Sequence, residues 1–379
     1  MEINMANNLE SMKNPGPGDF IRDELEYRGW TQEDLAVILE LDPKHISFIL
    51  NNKQPLTFEV AQALGKIFGQ STQYWVNLDT LYRIGLENQS QQVKSAEIRS
   101  NIYKYMPIRE MVNRGWLPEF SDTDELVEIV KKFWGIKKID FKFLDNMILP
   151  NLRKSTAYNQ FNIYYTLTWL NMVKIISKKI KVISYSPVKL NKIIESFHLY
   201  TISENGICEF LRDLNSAGIK FIELPHLQKT YIDGAVYSEK CNKVVAYTGR
   251  HNRLDNFWFT MAHELSHITL HLDNKDRVFI DNFNELNTDE EKEADKRALN
   301  LLKEKEVMKF FKLNKKYISK KNILECRNKY NINPSIIVGI LQHNGILSRT
   351  NLNRFKEKVI EQIPDKYKWN ASRLSHDLE

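Results

Sequence analysis

Residues 254–272 read LDNFWFTMAHELSHITLHL, and the five at the centre, His263-Glu264-Leu265-Ser266-His267, decide how the rest is read. Apolar Phe257, Phe259, Met261, Leu265 and Ile268 surround the motif and predict an α-helix. Histidines four apart on a helix share one face, so both imidazoles reach a single ion. Glu264, next to the first histidine, is then placed to deprotonate a water rather than to bind the metal. Zinc held by three protein ligands keeps a fourth position open and lowers the pKa of a water there to about 7. Two ordinary histidines beside a glutamate would need no metal, but they would not need this spacing in mid-helix either.

A third ligand has to come from elsewhere. His271 continues the four-residue spacing, yet three ligands in line on one straight helix cannot form a tetrahedral corner, so His271 is read as flanking the site. The better source is the acidic run Asp289-Glu290-Glu291-Lys292-Glu293-Ala294-Asp295, which predicts a helix over about 288–303. Its stripe of Ala294, Ala298 and Leu302 allows close approach to the first helix. Glu290 and Glu291 fall within that stripe and Glu293 borders it; periodicity does not choose among them. His226, Arg250 and His251 could line the cleft, but each reads first as an ordinary polar residue.

Upstream, the period changes after Gly218. Segments 219–224, 234–237 and 243–247 are short, β-branched and aromatic, and predict a small antiparallel sheet. Downstream, a polar loop follows residue 272, Asn333-Pro334 opens a further helix ending near Gly345, and a charged tail follows Ser348.

The N-terminal part is different in kind. After a polar start ending in Pro15-Gly16-Pro17-Gly18, residues 19–84 predict five short helices. The first runs from Asp19 to about Arg28 and stops at Gly29. Thr31 caps the second, Asp42 with Pro43 opens the third, and Thr57 and Ser71 open the fourth and fifth. On the third, Ile46, Ile49 and Leu50 face inward, leaving Lys44, His45, Ser47, Phe48 and Asn51 outward. Helix, tight turn, helix is the geometry that lays a second helix into a DNA major groove. Residues 89–215 read as mostly helical, with amphipathic stretches at 122–134 and 158–180 and no motif of assignable chemistry. The run Lys131-Lys132-Phe133-Trp134 mixes bases with aromatics but is best read as a helix with a solvated lysine face.

The 379 residues allow two or three domains, at 42% hydrophobic and 27% charged. No apolar run is long enough to span a membrane, and the three scattered cysteines offer neither a disulfide framework nor a thiolate cluster, so a cytoplasmic protein is expected. The net charge of +6 does not by itself argue for nucleic acid, because residues 1–80 carry six Lys and Arg against twelve Asp and Glu. Between Pro43 and Gln54, however, there is no carboxylate.

Two resemblances add to this reading. The run from Trp258 to His267, followed by Glu291-x-Glu293-Ala294-Asp295, resembles the ImmA/IrrE family of metallopeptidase-like domains, as do Leu224-Pro225-His226 and Asp233-Gly234-Ala235. The likeness spans about residues 190–345 and implies a minimal zincin fold in which the glutamate before the alanine, Glu293, is the third zinc ligand. Residues 31–36 and 43–47 resemble the XRE-type helix-turn-helix, and the wider stretch 14–85 is similar to HigA-type antitoxins. That resemblance implies Gln32 against the DNA backbone and Lys44, His45, Ser47 and Asn51 against base edges. Where such proteins commonly carry Gly after the recognition helix, this chain has Asn52, which also tolerates a left-handed backbone.

The expected architecture is therefore α+β, mostly α. It comprises a flexible N-terminus (1–18), a five-helix helix-turn-helix domain (19–88), a helical middle region (89–215), a minimal zincin domain (216–348) and a charged tail (349–379). The expected function is a homodimeric regulator or antitoxin that binds double-stranded operator DNA. Its zinc-dependent endopeptidase domain would use His263, His267 and Glu293 as ligands and Glu264 as base, and would act on a protein partner encoded nearby in a toxin–antitoxin, phage or stress-response module. Two other classes fit the same residues: an antitoxin whose zincin domain only docks a toxin, and a zincin effector of a defence module.

Overall fold

The computed structural model describes residues 15–87, 91–147, 160–272, 278–282, 288–312 and 318–370. The chain divides between Ser100 and Asn101 into two compact units.

The first unit contains α1 (Pro17–Arg28), α2 (Gln32–Leu39), α3 (Pro43–Leu50), α4 (Phe58–Phe68) and α5 (Thr72–Glu87). Its punctuation follows local chemistry. The Thr31 hydroxyl accepts from the Asp34 amide while the Asp34 carboxylate accepts from the Thr31 amide, a reciprocal box that starts α2. Asp42 accepts from the Lys44 amide and Pro43 occupies the first position of α3. The first helix begins two residues earlier than Asp19, because Pro17 suits that position and the Asp19 carboxylate accepts from the Gly16 amide at 2.8 Å. Ile21, Leu35, Ile46, Leu64 and Trp75 fill the core between the five helices.

Helix α6 (Gln91–Tyr105) spans the division, and the second unit continues with α7 (Ile108–Asn113), α8 (Thr123–Trp134), α9 (Lys142–Met147) and α10 (Gln160–Ser177). Then come α11 (Pro187–Glu195), α12 (Phe197–Tyr200) and α13 (Gly206–Ser216), followed by β1 (Ile219–Glu223), β2 (Ile232–Glu239) and β3 (Asn242–Tyr247). The motif helix is α14 (Leu254–Leu270); after it lie β4 (Val278–Asn282), α15 (Asp289–Leu301), α16 (Glu304–Lys312), α17 (Lys320–Tyr330) and α18 (Pro334–His343). The expected helix 158–180 begins in part outside the described residues.

The sheet is mixed, not purely antiparallel. Its order is β1-β3-β2-β4, with β1 parallel to β3 and both β3 and β4 antiparallel to β2. The β2–β3 hairpin presents its second strand to β1, so β1 gains a parallel neighbour. Alternate side chains enter two different cores. Phe221, Val236, Val245 and Tyr247 meet α14 and the C-terminal helices, whereas Ile222, Ala235, Val244 and Ala246 meet the helices of residues 102–176. A sheet covered on both faces needs apolar residues on both, which is why these strands read as nearly continuous apolar runs.

The middle helices thus clothe one face of the sheet. Trp169 Nε1 donates to the Leu224 carbonyl at 3.1 Å, and Arg114 donates to the Pro225 carbonyl at 3.2 Å. Phe133 is buried and Trp134 donates to Met106 Sδ, which leaves the lysines of that run as a helix surface. The described residues after Ser348 pack as well: Val359, Ile363 and Trp369 are buried, and the Trp369 amide bonds the Glu223 carbonyl at the end of β1.

Candidate functional site

Helix α14 is buried along most of its length and lies between the sheet and α15. His263 and His267 turn their Nε2 atoms to one point, 2.9 Å apart. Glu291 of α15 completes the group, with its carboxylate oxygens 3.2 Å from His263 Nε2 and 3.4 Å from His267 Nε2. Ligand bonds of about 2.0–2.1 Å at tetrahedral angles place donors about 3.3 Å apart, so this triangle has the size and the N₂O chemistry of a three-ligand zinc site. Among the described residues it is the group of metal-binding character.

Glu293, the ligand implied by the family resemblance, is elsewhere. It is exposed, and its carboxylate lies 3.3 Å from His271 Nε2. Residues 291 and 293 are about 200° apart around a helix axis, so they cannot both address the histidine pair. Asp295, one turn beyond Glu291, shares its face and meets His263 Nδ1 at 2.9 Å. His267 Nδ1 meets His271 Nδ1 at 3.0 Å. Both histidines thus have their outer nitrogens engaged, the arrangement that fixes ring orientation and points the inner nitrogen at a metal.

Burial alone would raise the Glu291 carboxyl, but hydrogen bonds from His263 and His267 outweigh it and hold the pKa at about 2. Burial pushes the His267 imidazole below its ordinary value, with Glu291 opposing. A charged carboxylate and an imidazole held toward its neutral form suit the binding of a divalent ion. The Phe279 ring of β4 stacks on His267 with centroids 4.4 Å apart, closing the site on that side.

Glu264 is fully buried, with its carboxylate against Gly234 of β2. Gly234 makes room for it: a Cβ there would overlap Glu264 Oε1. Next to it, Asp233 is fixed by Arg250 at 2.8 and 3.3 Å. Arg250 therefore serves an ion pair in this structure. The role of Gly234 escaped the sequence reading, although a glycine inside a strand is a signal of close approach.

In the first unit, Lys44 and Asn51 are exposed on α3, and His45 and Ser47 are half-buried. Lys44 Nζ lies 6.0 Å from the Phe48 ring centroid. Asn51 donates to the Ser47 carbonyl at 2.8 Å, and Gln32 donates to the Pro43 carbonyl at 3.1 Å, tying α2 to the start of α3. Asn52 takes the left-handed conformation, φ 56°. Its side chain accepts from the Gly18 amide at 2.7 Å and donates to Asp19, so it also links the end of α3 to the start of α1.

These features define a two-unit protein: a helix-turn-helix module, and an α+β unit with a clustered His-His-Glu site. Residues 21–75 match the helix-turn-helix family and residues 214–336 match the IrrE N-terminal-like domain family; the chain belongs to the helix-turn-helix regulators through the first and carries an IrrE-like peptidase-type domain through the second. It is 30% identical over 76 residues to YddM, an uncharacterized HTH-type transcriptional regulator of Escherichia coli K12, covering 20% of this chain and 81% of that protein. It is 31% identical over 77 residues to virulence-associated protein I of Dichelobacter nodosus, covering 20% and 71%. A solved addiction module antidote protein of the HigA family from Coxiella burnetii is 26% identical over 23% of this chain and 95% of its own, with a TM-score of 0.21.

Proposed function

We propose that this protein is a DNA-binding transcriptional regulator whose second unit is a zinc-dependent endopeptidase acting on a specific protein partner. The observation that carries the enzymatic half is the convergence of His263, His267 and Glu291 beside a buried Glu264. A divalent ion bound there would supply Lewis acidity. His263 and His267, oriented by Asp295 and His271, would hold it through Nε2, and Glu291 would balance its charge. Glu264 takes the proton of the attacking water and returns it to the leaving amine. The DNA-reading half rests on the helix-turn-helix match and on α3, where Lys44, Ser47 and Asn51 would meet a groove and Gln32 would hold α3 to α2. Leu81 and Ile84, well exposed on α5, offer an apolar face for pairing two copies on an inverted repeat.

Co-expression with the product of the adjacent gene tests the enzymatic half. Wild type is expected to cleave that partner and Glu264→Gln to leave it intact, while both bind zinc equally. A partner that stays whole with wild type but is still neutralised by Glu264→Gln would make the second unit a docking module.

A further inference from the structure

A cavity of about 410 Å³ lies between α14, α15, α18 and the chain that follows α18. That volume is within the range of small-molecule sites. Its lining combines apolar Phe259, Leu302 and Ile340 with His251 and the cations Arg253 and Arg349, and both cations bear on Lys356.

The charges there do not balance. Asp255 is buried and already held by Arg253, at 3.0 and 2.6 Å, and by Lys356 at 3.3 Å. Arg349 adds a third cation, and no carboxylate of the described residues pairs with it. Burial holds the Lys356 ammonium below the ordinary lysine range despite Asp255, and the nearby Arg253 and Arg349 push it the same way. Three cations therefore converge around one carboxylate that is fully engaged. Gly339 sets the depth at this point, since a Cβ there would come within 2.9 Å of Asp255 Oδ2.

We propose that this cavity binds a small amphipathic acid, with its carboxylate against Arg349 and Arg253 and its apolar stem along Phe259 and Ile340. A guanidinium gives a carboxylate a charge-assisted, directional contact, and the stem gains by leaving water. The site is separate from the proposed chemistry of Glu264. It does border the metal centre, because the Phe259 ring lies 6.3 Å from that of His263, one helical turn away.

Isothermal titration of the full-length protein with octanoate and with octanamide tests this. Octanoate is expected to bind at least about tenfold more tightly than the neutral amide, a difference set by the charged contact. Arg349→Gln should remove that preference and Arg349→Glu should abolish octanoate binding; the exposed Arg349 side chain allows both variants to fold. Equal binding of the two probes, no octanoate binding at millimolar concentration, or affinity unchanged in both variants would each overturn the proposal. Neither zinc nor Glu264 enters the measurement, so its failure would leave the reading of the metal centre untouched.

Discussion

Glu291 and Glu293 stand two positions apart on α15, and it is Glu291 that meets the histidine pair. On the wheel of α15, Glu291 lies about 20° from the centre of the Ala294, Ala298 and Leu302 stripe, and Glu293 about 140° from it. The stripe thus contained the signal, but placing Glu293 at its border and following the family spacing obscured it. Asp295, four residues after Glu291, was a second sign, since i and i+4 share a face. Another buried carboxylate responds to pH. Burial pushes Glu223 up to about 7, with Lys368 opposing. Its folded pKa therefore exceeds its ordinary value of 4.5, so the folded state holds a proton that the unfolded chain releases first. Stability should be full below about pH 4.5, fall by roughly 3 kcal/mol as pH rises to about 7, and then level off. Urea unfolding of wild type and Glu223→Gln across that range checks this: the variant should lose this component of the slope, and identical slopes would contradict the assignment.

At the scale of elements, the helices with caps were legible because their signals are local. Thr31, Asp42-Pro43, Thr57 and Gly29 each mark a boundary that the structure repeats within a residue or two. Strand β4 was not legible: Val278-Phe279-Ile280 is too short a run to announce a strand, and it becomes one by pairing with β2. The parallel pairing of β1 with β3 likewise depends on contacts distant in sequence. The recognition helix is an element whose outward side chains can be tested as a set. Lys44→Ala with Ser47→Ala should lower specific operator affinity by about tenfold or more, from losses of about 1–3 kcal/mol at base edges, while leaving zinc content unchanged. Footprinting that shows the same protection by the double variant and by wild type would remove α3 from the groove.

Across the molecule, the sheet of the second unit explains two segments whose composition alone misleads. Residues 89–215 carry no catalytic motif because part of their work is to cover one face of the sheet, with Tyr164, Trp169 and Val173 in that core. The residues after Ser348 look like a tail by charge, yet every few positions an apolar side chain, Val359, Ile363, Tyr367 and Trp369, is buried. Three of them are spaced four apart as on a helix, yet the chain there makes only short 3-10 turns, so their burial depends on the surface they meet. Both segments brace the strands and α14, on which the histidine pair depends. In the proposed reading, α14 and α15 together build a zinc site through His263, His267 and Glu291. The direct measurement is elemental analysis of full-length wild type, Glu291→Gln and Glu293→Gln, each purified without added metal. Wild type is predicted to carry about one zinc per chain, Glu293→Gln to retain it, and Glu291→Gln to lose most of it. Wild type without a transition metal, or zinc lost from Glu293→Gln and kept by Glu291→Gln, would contradict this assignment.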